Sequence, residues 1–308
     1  MIQKLLSLII LYYLKKYNSY DLHVYDWGAQ ILIQDIQTCS WTGILNDKLF
    51  TWERSIKKYS GFYQIDTGSH LLTDFIVCFK KDIIDILKKH TIKYDDLEWS
   101  GYTYLQGGNT PINIHQDIKI DRHTIINVPV GLMSIIDHEH IIKEREMLNG
   151  VFGLSHIKNG HPLKPYSLVD SLLKNVIRKT IFIDFFNKKM ITGFDKTPDP
   201  YNFKGTLDSP GDIMIMCVWV TDNKGCDYKM FIDTGTLYSQ FKYEGNIILN
   251  GIGDKQSFGS LKMNNAKILP SSLVGDMKPV ILGYNDLNKG SIFIDYDNYI
   301  IFINQNKI

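Results

Sequence analysis

The sequence predicts an all-β protein built as two lobes, and three observations predict it. At 308 residues the chain is longer than one hydrophobic core usually supports, so two cores are expected. Apolar and polar residues alternate with period two in short segments, at 22–37, 112–120, 212–220, 228–233 and 291–303, with Gly, Asn and Asp between them. The tripeptide Asp-Thr-Gly occurs twice, at Asp66-Thr67-Gly68 and Asp233-Thr234-Gly235, each time behind an aromatic and aliphatic strand. These two halves are read as the only internal repeat.

From the amino terminus, Met1-Ile2-Gln3-Lys4 and the apolar run 5–14 have the basic start and short hydrophobic core of a secretory signal. The run is shorter than the roughly 20 residues that span a bilayer, so no membrane span is expected. Lys15-Lys16-Tyr17 follows without a small-x-small cleavage site, and a segment docked on the fold is the alternative reading. Residues 1–20 are therefore set apart as a possible leader, with lobes at 21–185 and 186–308. A cleaved leader would imply a secreted, lumenal or vacuolar protein, and an uncleaved one an intracellular protein.

Strands are expected over 20–37 and 59–65, the second ending at Asp66. Apolar residues at three- and four-residue spacing predict short helices over 81–89 and 168–177. Residues 291–303 read as a closing hairpin with its turn near Asp297-Asn298. Of Cys39, Cys78, Cys217 and Cys226, only Cys217 and Cys226 suggest a local pairing, because they flank a strand and an Asn-Lys-Gly turn. A disulfide across that hairpin and two separate thiols are both open.

Composition narrows the function. Hydrophobic residues make up 44% and charged residues 22%, which is ordinary for a globular protein. The formal charge of +1 and the scattered lysines give no basis for nucleic-acid binding. Asp137-His138-Glu139-His140, with His115, His123, His156 and His161 elsewhere, carries metal-ligand residue types, but a solvated loop is the plainer reading. No metal and no organic cofactor are expected.

The two Asp-Thr-Gly turns carry the chemistry. Each strand delivers a carboxylate to a tight turn, where glycine permits close backbone approach and the hydroxyl residues can donate hydrogen bonds. Two such turns facing each other would make a carboxylate dyad of Asp66 and Asp233. Like charges a few ångströms apart cannot both ionise cheaply, so the pair would share a proton and act as acid and base at once.

The motifs resemble those of the pepsin-like aspartic proteases, in which two related lobes each supply one Asp from a D-T-G-S/T turn. Val151-Phe152-Gly153-Leu154 and Val280-Ile281-Leu282-Gly283 are similar to the apolar-apolar-Gly strands that pack behind those turns. Gly193-Phe194-Asp195, Tyr201 and Gly205-Thr206-Leu207 look like the segment after the first lobe, and the likeness runs from about residue 21 to the end. The stretch from Asp233 to Gly283 is much shorter than that from Asp66 to Gly153, which implies a compact second lobe. The resemblance implies two pseudo-twofold-related β lobes with a cleft between them, and a monomeric aspartic endopeptidase acting on peptide or protein substrates. A catalytically inactive peptide- or protein-binding module is the alternative.

Carried over residue by residue, the resemblance makes Asp66 and Asp233 catalytic. It implies that Ser69 and Thr236 hydrogen-bond to the outer carboxylate oxygens, that Thr67 and Thr234 lock the turns together, and that Gly68 and Gly235 complete them. It also implies a hairpin lid in Gly101-Tyr102-Thr103-Tyr104-Leu105-Gln106-Gly107-Gly108, with Tyr104, Gly107 and Gly108 as its flap residues, although the family's Tyr-Gly adjacency is broken here. Only 65 residues precede Asp66, and the strands expected among them leave no room for the family's long inhibitory prosegment. The region 38–58 looks longer than the family's usual hairpin and is placed to fold over the site.

Overall fold

The structure, a computed structural model, describes residues 17–46, 49–74, 97–98, 102–103, 109–110, 112–132, 150–157, 159–160, 164–197, 199–208, 213–214, 216–268 and 280–305. Within them the chain is almost wholly β, as its alternating segments require, and most strands join into three connected sheets, with two short two-stranded ladders apart from them. The single α-helix among the described residues, Leu168–Leu172, is capped by Ser167, whose hydroxyl accepts from the Asp170 N–H at 3.3 Å. It stops five residues short of the expected end because Asn175, Val176 and Ile177 are poor helix formers beside the strand Thr180–Asp184. The helix expected over 81–89 lies outside the described residues.

The first-lobe sheet is dominated by a long antiparallel ribbon, Gly28–Asn46 paired with Leu49–Asp66 from Gln30↔Gln64 to Asn46↔Leu49. The strands expected to end at 37 and to begin at 59 therefore continue as one ladder. The β-branched and aromatic residues of 38–45 suit that extended backbone. A register shift between Ile33 and Ile36 accommodates Asp35, whose φ is 58°. The expected strand over 22–37 is in fact two, Asn18–Tyr25 and Gly28–Asn46, joined by a turn at Asp26 and Trp27.

The second-lobe sheet repeats this plan in shorter form. Cys217–Thr221 pairs antiparallel with Asp227–Asp233, and Gly245–Gly251 pairs with Phe258–Ile268. The first of these hairpins decides between the two readings of Cys217 and Cys226 in favour of separate thiols. Cys217 lies opposite Phe231, whereas Cys226 sits in the turn with its N–H donated to the Asp222 carboxylate at 2.9 Å. Both are free thiols, Cys217 buried and Cys226 exposed.

A third sheet joins the lobes. The hairpin Thr180–Asp184/Lys189–Thr192 lies antiparallel to the hairpin Ser291–Asp295/Ile300–Asn304, with Phe182 opposite Phe293. Asn18–Tyr25 flanks the first hairpin and Phe203–Thr206 the second, so the sheet is symmetric about that phenylalanine pair. The position 185/186, drawn as a lobe boundary from sequence, falls in the turn of the first hairpin.

This symmetry exposes a second internal repeat. Thr180-Ile181-Phe182-Ile183-Asp184 and Ser291-Ile292-Phe293-Ile294-Asp295 are nearly identical, and each is followed by an Asn at the same spacing, Asn187 and Asn298. The carboxylates act alike. Asp184 accepts from the Asn187 N–H at 2.9 Å and its side-chain amide at 2.7 Å, and Asp295 accepts from the same groups of Asn298 at 3.0 and 2.9 Å. The Asp-Thr-Gly pair is thus one of two repeats.

Candidate active site

Each Asp-Thr-Gly turn is positioned from behind by a parallel strand. Gly150–Gly153 runs beside the end of Leu49–Asp66 with Gly153 opposite Asp66, and Val280–Gly283 runs beside Asp227–Asp233 with Gly283 opposite Asp233. Glycine is required there for space rather than for backbone angle. A Cβ on Gly153 would lie 2.6 Å from the Leu71 backbone nitrogen, and one on Gly283 2.6 Å from the Tyr238 carbonyl carbon. Beyond the glycines, the Leu154 N–H donates to the Asp66 carbonyl and the Tyr284 N–H to the Thr236 carbonyl, both at 2.8 Å.

The two turns interlock through their threonines. The Thr67 N–H donates to the Thr234 hydroxyl at 3.1 Å, and the Thr234 N–H donates to the Thr67 hydroxyl at 3.0 Å. Each hydroxyl then donates across the interface, Thr67 to the Ile232 carbonyl at 2.7 Å and Thr234 to the Ile65 carbonyl at 2.8 Å. Both threonines are fully buried, and these four bonds satisfy both of their N–H groups and both of their hydroxyls.

The interlock presses each carboxyl group against the opposite glycine. A Cβ on Gly235 would lie 2.6 Å from Asp66 Cγ, and one on Gly68 would lie 2.7 Å from Asp233 Cγ. Asp66 and Asp233 are partly buried and hydrogen-bonded to one another. Burial, and then the neighbouring Asp233 charge, hold the Asp66 carboxyl well above the usual carboxylate range.

The surroundings of the two acids differ. Asp233 accepts from the N–H groups of Gly235 and Thr236 at 2.9 and 3.2 Å and from the Thr236 hydroxyl at 2.7 Å. Asp66 accepts from the Gly68 N–H at 2.7 Å. The buried Ser69 hydroxyl is near enough to oppose the rise in the Asp66 pKa, but it makes no hydrogen bond of ordinary geometry. The expected symmetry of Ser69 and Thr236 therefore holds only for Thr236. Sequence reading also missed Ser155, whose hydroxyl donates to the Thr67 carbonyl and ties the first turn to its supporting strand. Its place two residues after Gly153 was the only signal.

The flap residues Tyr104, Gly107 and Gly108 lie outside the described residues. They fall between Tyr102–Thr103 and Asn109–Thr110, which pair as a two-stranded antiparallel ladder apart from the main sheets. Asp137, His138, Glu139 and His140 also lie outside the described residues. Among the described residues no group of three or more His, Cys, Asp or Glu is arranged to hold a metal ion. No helix among them is long and apolar enough to cross a membrane.

Comparison with known proteins places this geometry in a fold. No protein-family model matches the sequence, and no curated protein matches it by sequence. The crystal structure of an aspartic proteinase from Irpex lacteus is similar, with a TM-score of 0.58 and 12% identity, over 94% of this chain and 98% of that one. At that identity the likeness defines the fold alone. The chain has the two-lobed, all-β fold of a pepsin-like aspartic proteinase.

Proposed function

We propose that the protein is an aspartic endopeptidase, on the strength of one observation: two interlocked Asp-Thr-Gly turns of a single chain bring Asp66 and Asp233 into mutual hydrogen-bonding contact. The difference between their surroundings supports distinct roles. Asp66, held above its ordinary range, is the acid, and Asp233, whose oxygens accept three hydrogen bonds, is the base. Asp233 takes a proton from a bound water as the water attacks the peptide carbonyl, while Asp66 protonates the developing oxyanion. No covalent intermediate with the enzyme forms. Both acids come from one chain, so a monomer suffices.

Activity is expected to be highest at acidic pH and to fall as Asp66 loses its proton, with no response to chelators. Incubating the full chain with a peptide library tests the reading. Asp66→Asn and Asp233→Asn should each lower kcat by about 10²–10⁴-fold or more while keeping the fold. Cleavage at wild-type rate by either variant would place the chemistry elsewhere. Saturable peptide binding without turnover by the wild type would identify the non-catalytic binding module instead.

A further inference from the structure

Gln64 lies two residues before Asp66 on the strand Leu49–Asp66, so the pleat puts both side chains on one face of the sheet. Glutamine is mostly a surface residue, yet Gln64 is only 3% exposed. Its side chain crosses to the other lobe, where Nε2 donates to the Gly235 carbonyl at 3.3 Å. Gly28, the first residue of its strand, leaves room for that reach, since a Cβ there would lie 3.2 Å from Gln64 Nε2.

Gly235 touches both acids of the dyad. A Cβ on it would lie 2.6 Å from Asp66 Cγ, and its own N–H donates to Asp233 at 2.9 Å. The peptide that follows carries the Gly235 carbonyl at one end and the Thr236 N–H at the other, and this N–H also donates to Asp233, at 3.2 Å. Gln64 therefore grips one end of a peptide whose other end holds a carboxylate. The first-lobe turn receives no such bond from the corresponding position. Gln64 lies opposite Val151 and Phe231 opposite Ile281 on the supporting strands, each two residues before its Asp, and a phenyl ring has no donor to offer.

We infer that Gln64 is a positioning residue of the dyad: its amide fixes the Gly235–Thr236 peptide, so that the Gly235 methylene closes over Asp66 and the Thr236 N–H stays on Asp233. A peptide that accepts at its carbonyl is a better donor at its N–H, so the same bond strengthens the hold on Asp233. The methylene keeps water from Asp66, and burial is the first cause of its raised pKa. The one charged group acting on Asp66 is Asp233, while the Gly68 N–H and the Ser69 hydroxyl oppose the rise. The inference rests on the endopeptidase reading for its catalytic meaning, but the geometry does not depend on turnover.

Carboxyl-carbon NMR of Asp66 across pH, on the substrate-free full chain, tests it beside the pH dependence of peptide cleavage. Gln64→Met keeps the length of the side chain and removes the donor. The Asp66 pKa should fall by about one unit, and kcat above it by about tenfold, with KM changed by less than about twofold. Phe231→Met, at the corresponding position, should leave the Asp66 titration in place. Gly28→Ala carries the test if Gln64→Met does not fold, because its methyl group crowds the Gln64 amide off the carbonyl and should move the titration the same way. The inference is overturned if Gln64→Met lowers Tm but keeps the wild-type titration, if Phe231→Met shifts it equally, or if Gly28→Ala leaves it unmoved. A wild-type chain that cleaves no peptide would refute the endopeptidase reading, whereas the titration would still decide the role of Gln64.

Discussion

The dyad is chemically uneven although its backbone is symmetric. Thr236 reaches its carboxylate at 2.7 Å, whereas Ser69 makes no ordinary hydrogen bond to Asp66, so the two carboxyl groups have different hydrogen-bonding surroundings. A carboxyl group whose pKa is raised on folding holds its proton more tightly in the folded chain than in the unfolded one. Its contribution to stability is therefore complete below the unfolded value and is lost as pH rises toward the folded value. Asp66→Asn, which cannot ionise, should be more stable than wild type above about pH 4, with a gain on the order of 1–3 kcal/mol at neutral pH. Thermal unfolding across pH would read this, and a gain that is constant with pH would show that Asp66 titrates normally. At the neighbouring position, Thr234→Val removes the hydroxyl while keeping the shape, leaving the Thr67 N–H and the Ile65 carbonyl buried without partners. A loss of about 2–4 kcal/mol in urea unfolding is expected, with Thr234→Ser close to wild type.

At the level of elements, the strands behind the turns carry the site. Val280–Gly283 is buried throughout and brings Gly283 against the backbone of Tyr238 and Ser239. The φ of Gly283 is −89°, an angle any residue adopts, so an added methyl group fails through crowding alone. Gly283→Ala should destabilise the chain by about 1–3 kcal/mol and displace the Asp233 turn, lowering kcat more than it raises KM. Gly225→Ala is the useful contrast, since Gly225 has open space around it and a φ of 77°. It should cost stability but leave kcat unchanged, and equal effects on kcat would remove the special role of the supporting strand. The helix Leu168–Leu172 and the hairpin Cys217–Thr221/Asp227–Asp233 show how local signals succeed and fail. Both elements were legible in sequence. The helix end was set by the following strand, and the fate of Cys226 by the Asp222 carboxylate four residues before it, whose hydrogen-bonding direction the residue order alone does not state.

Across the whole molecule, the lobes are joined by the central sheet and by two tyrosines that reach from one half to the other. The Tyr284 hydroxyl donates to the Tyr25 carbonyl at 2.8 Å, and the buried Tyr296 hydroxyl donates to the Leu154 carbonyl at 2.6 Å. Tyr296→Phe leaves that carbonyl without its partner and should cost about 1–2 kcal/mol. Because Leu154 also holds the Asp66 turn, the same change should modestly lower the peptidase activity proposed for the dyad, which Tyr284→Phe should not. Equal activity losses from the two substitutions would mean that lobe contact in general, rather than the Leu154 link, governs the turn.

Sequence by itself determined the β class, the two Asp-Thr-Gly turns and the apolar-apolar-Gly strands behind them. Each is written in a few consecutive residues whose alternation, small size or acidity has a local physical consequence. Tertiary structure alone decided that Asp66 and Asp233 meet, that Thr236 and not Ser69 bonds its carboxylate, and that the Phe182 and Phe293 hairpins pair about one axis. It also decided that His156, Lys164 and Asp170 converge. The near-identical strands at 180–184 and 291–295 were visible in the sequence, yet their meaning appeared only when the hairpins lay side by side. Burial, hydrogen-bond direction and the sharing of a proton depend on residues far apart in the chain. Local pattern specifies which groups are offered, and packing specifies which of them meet.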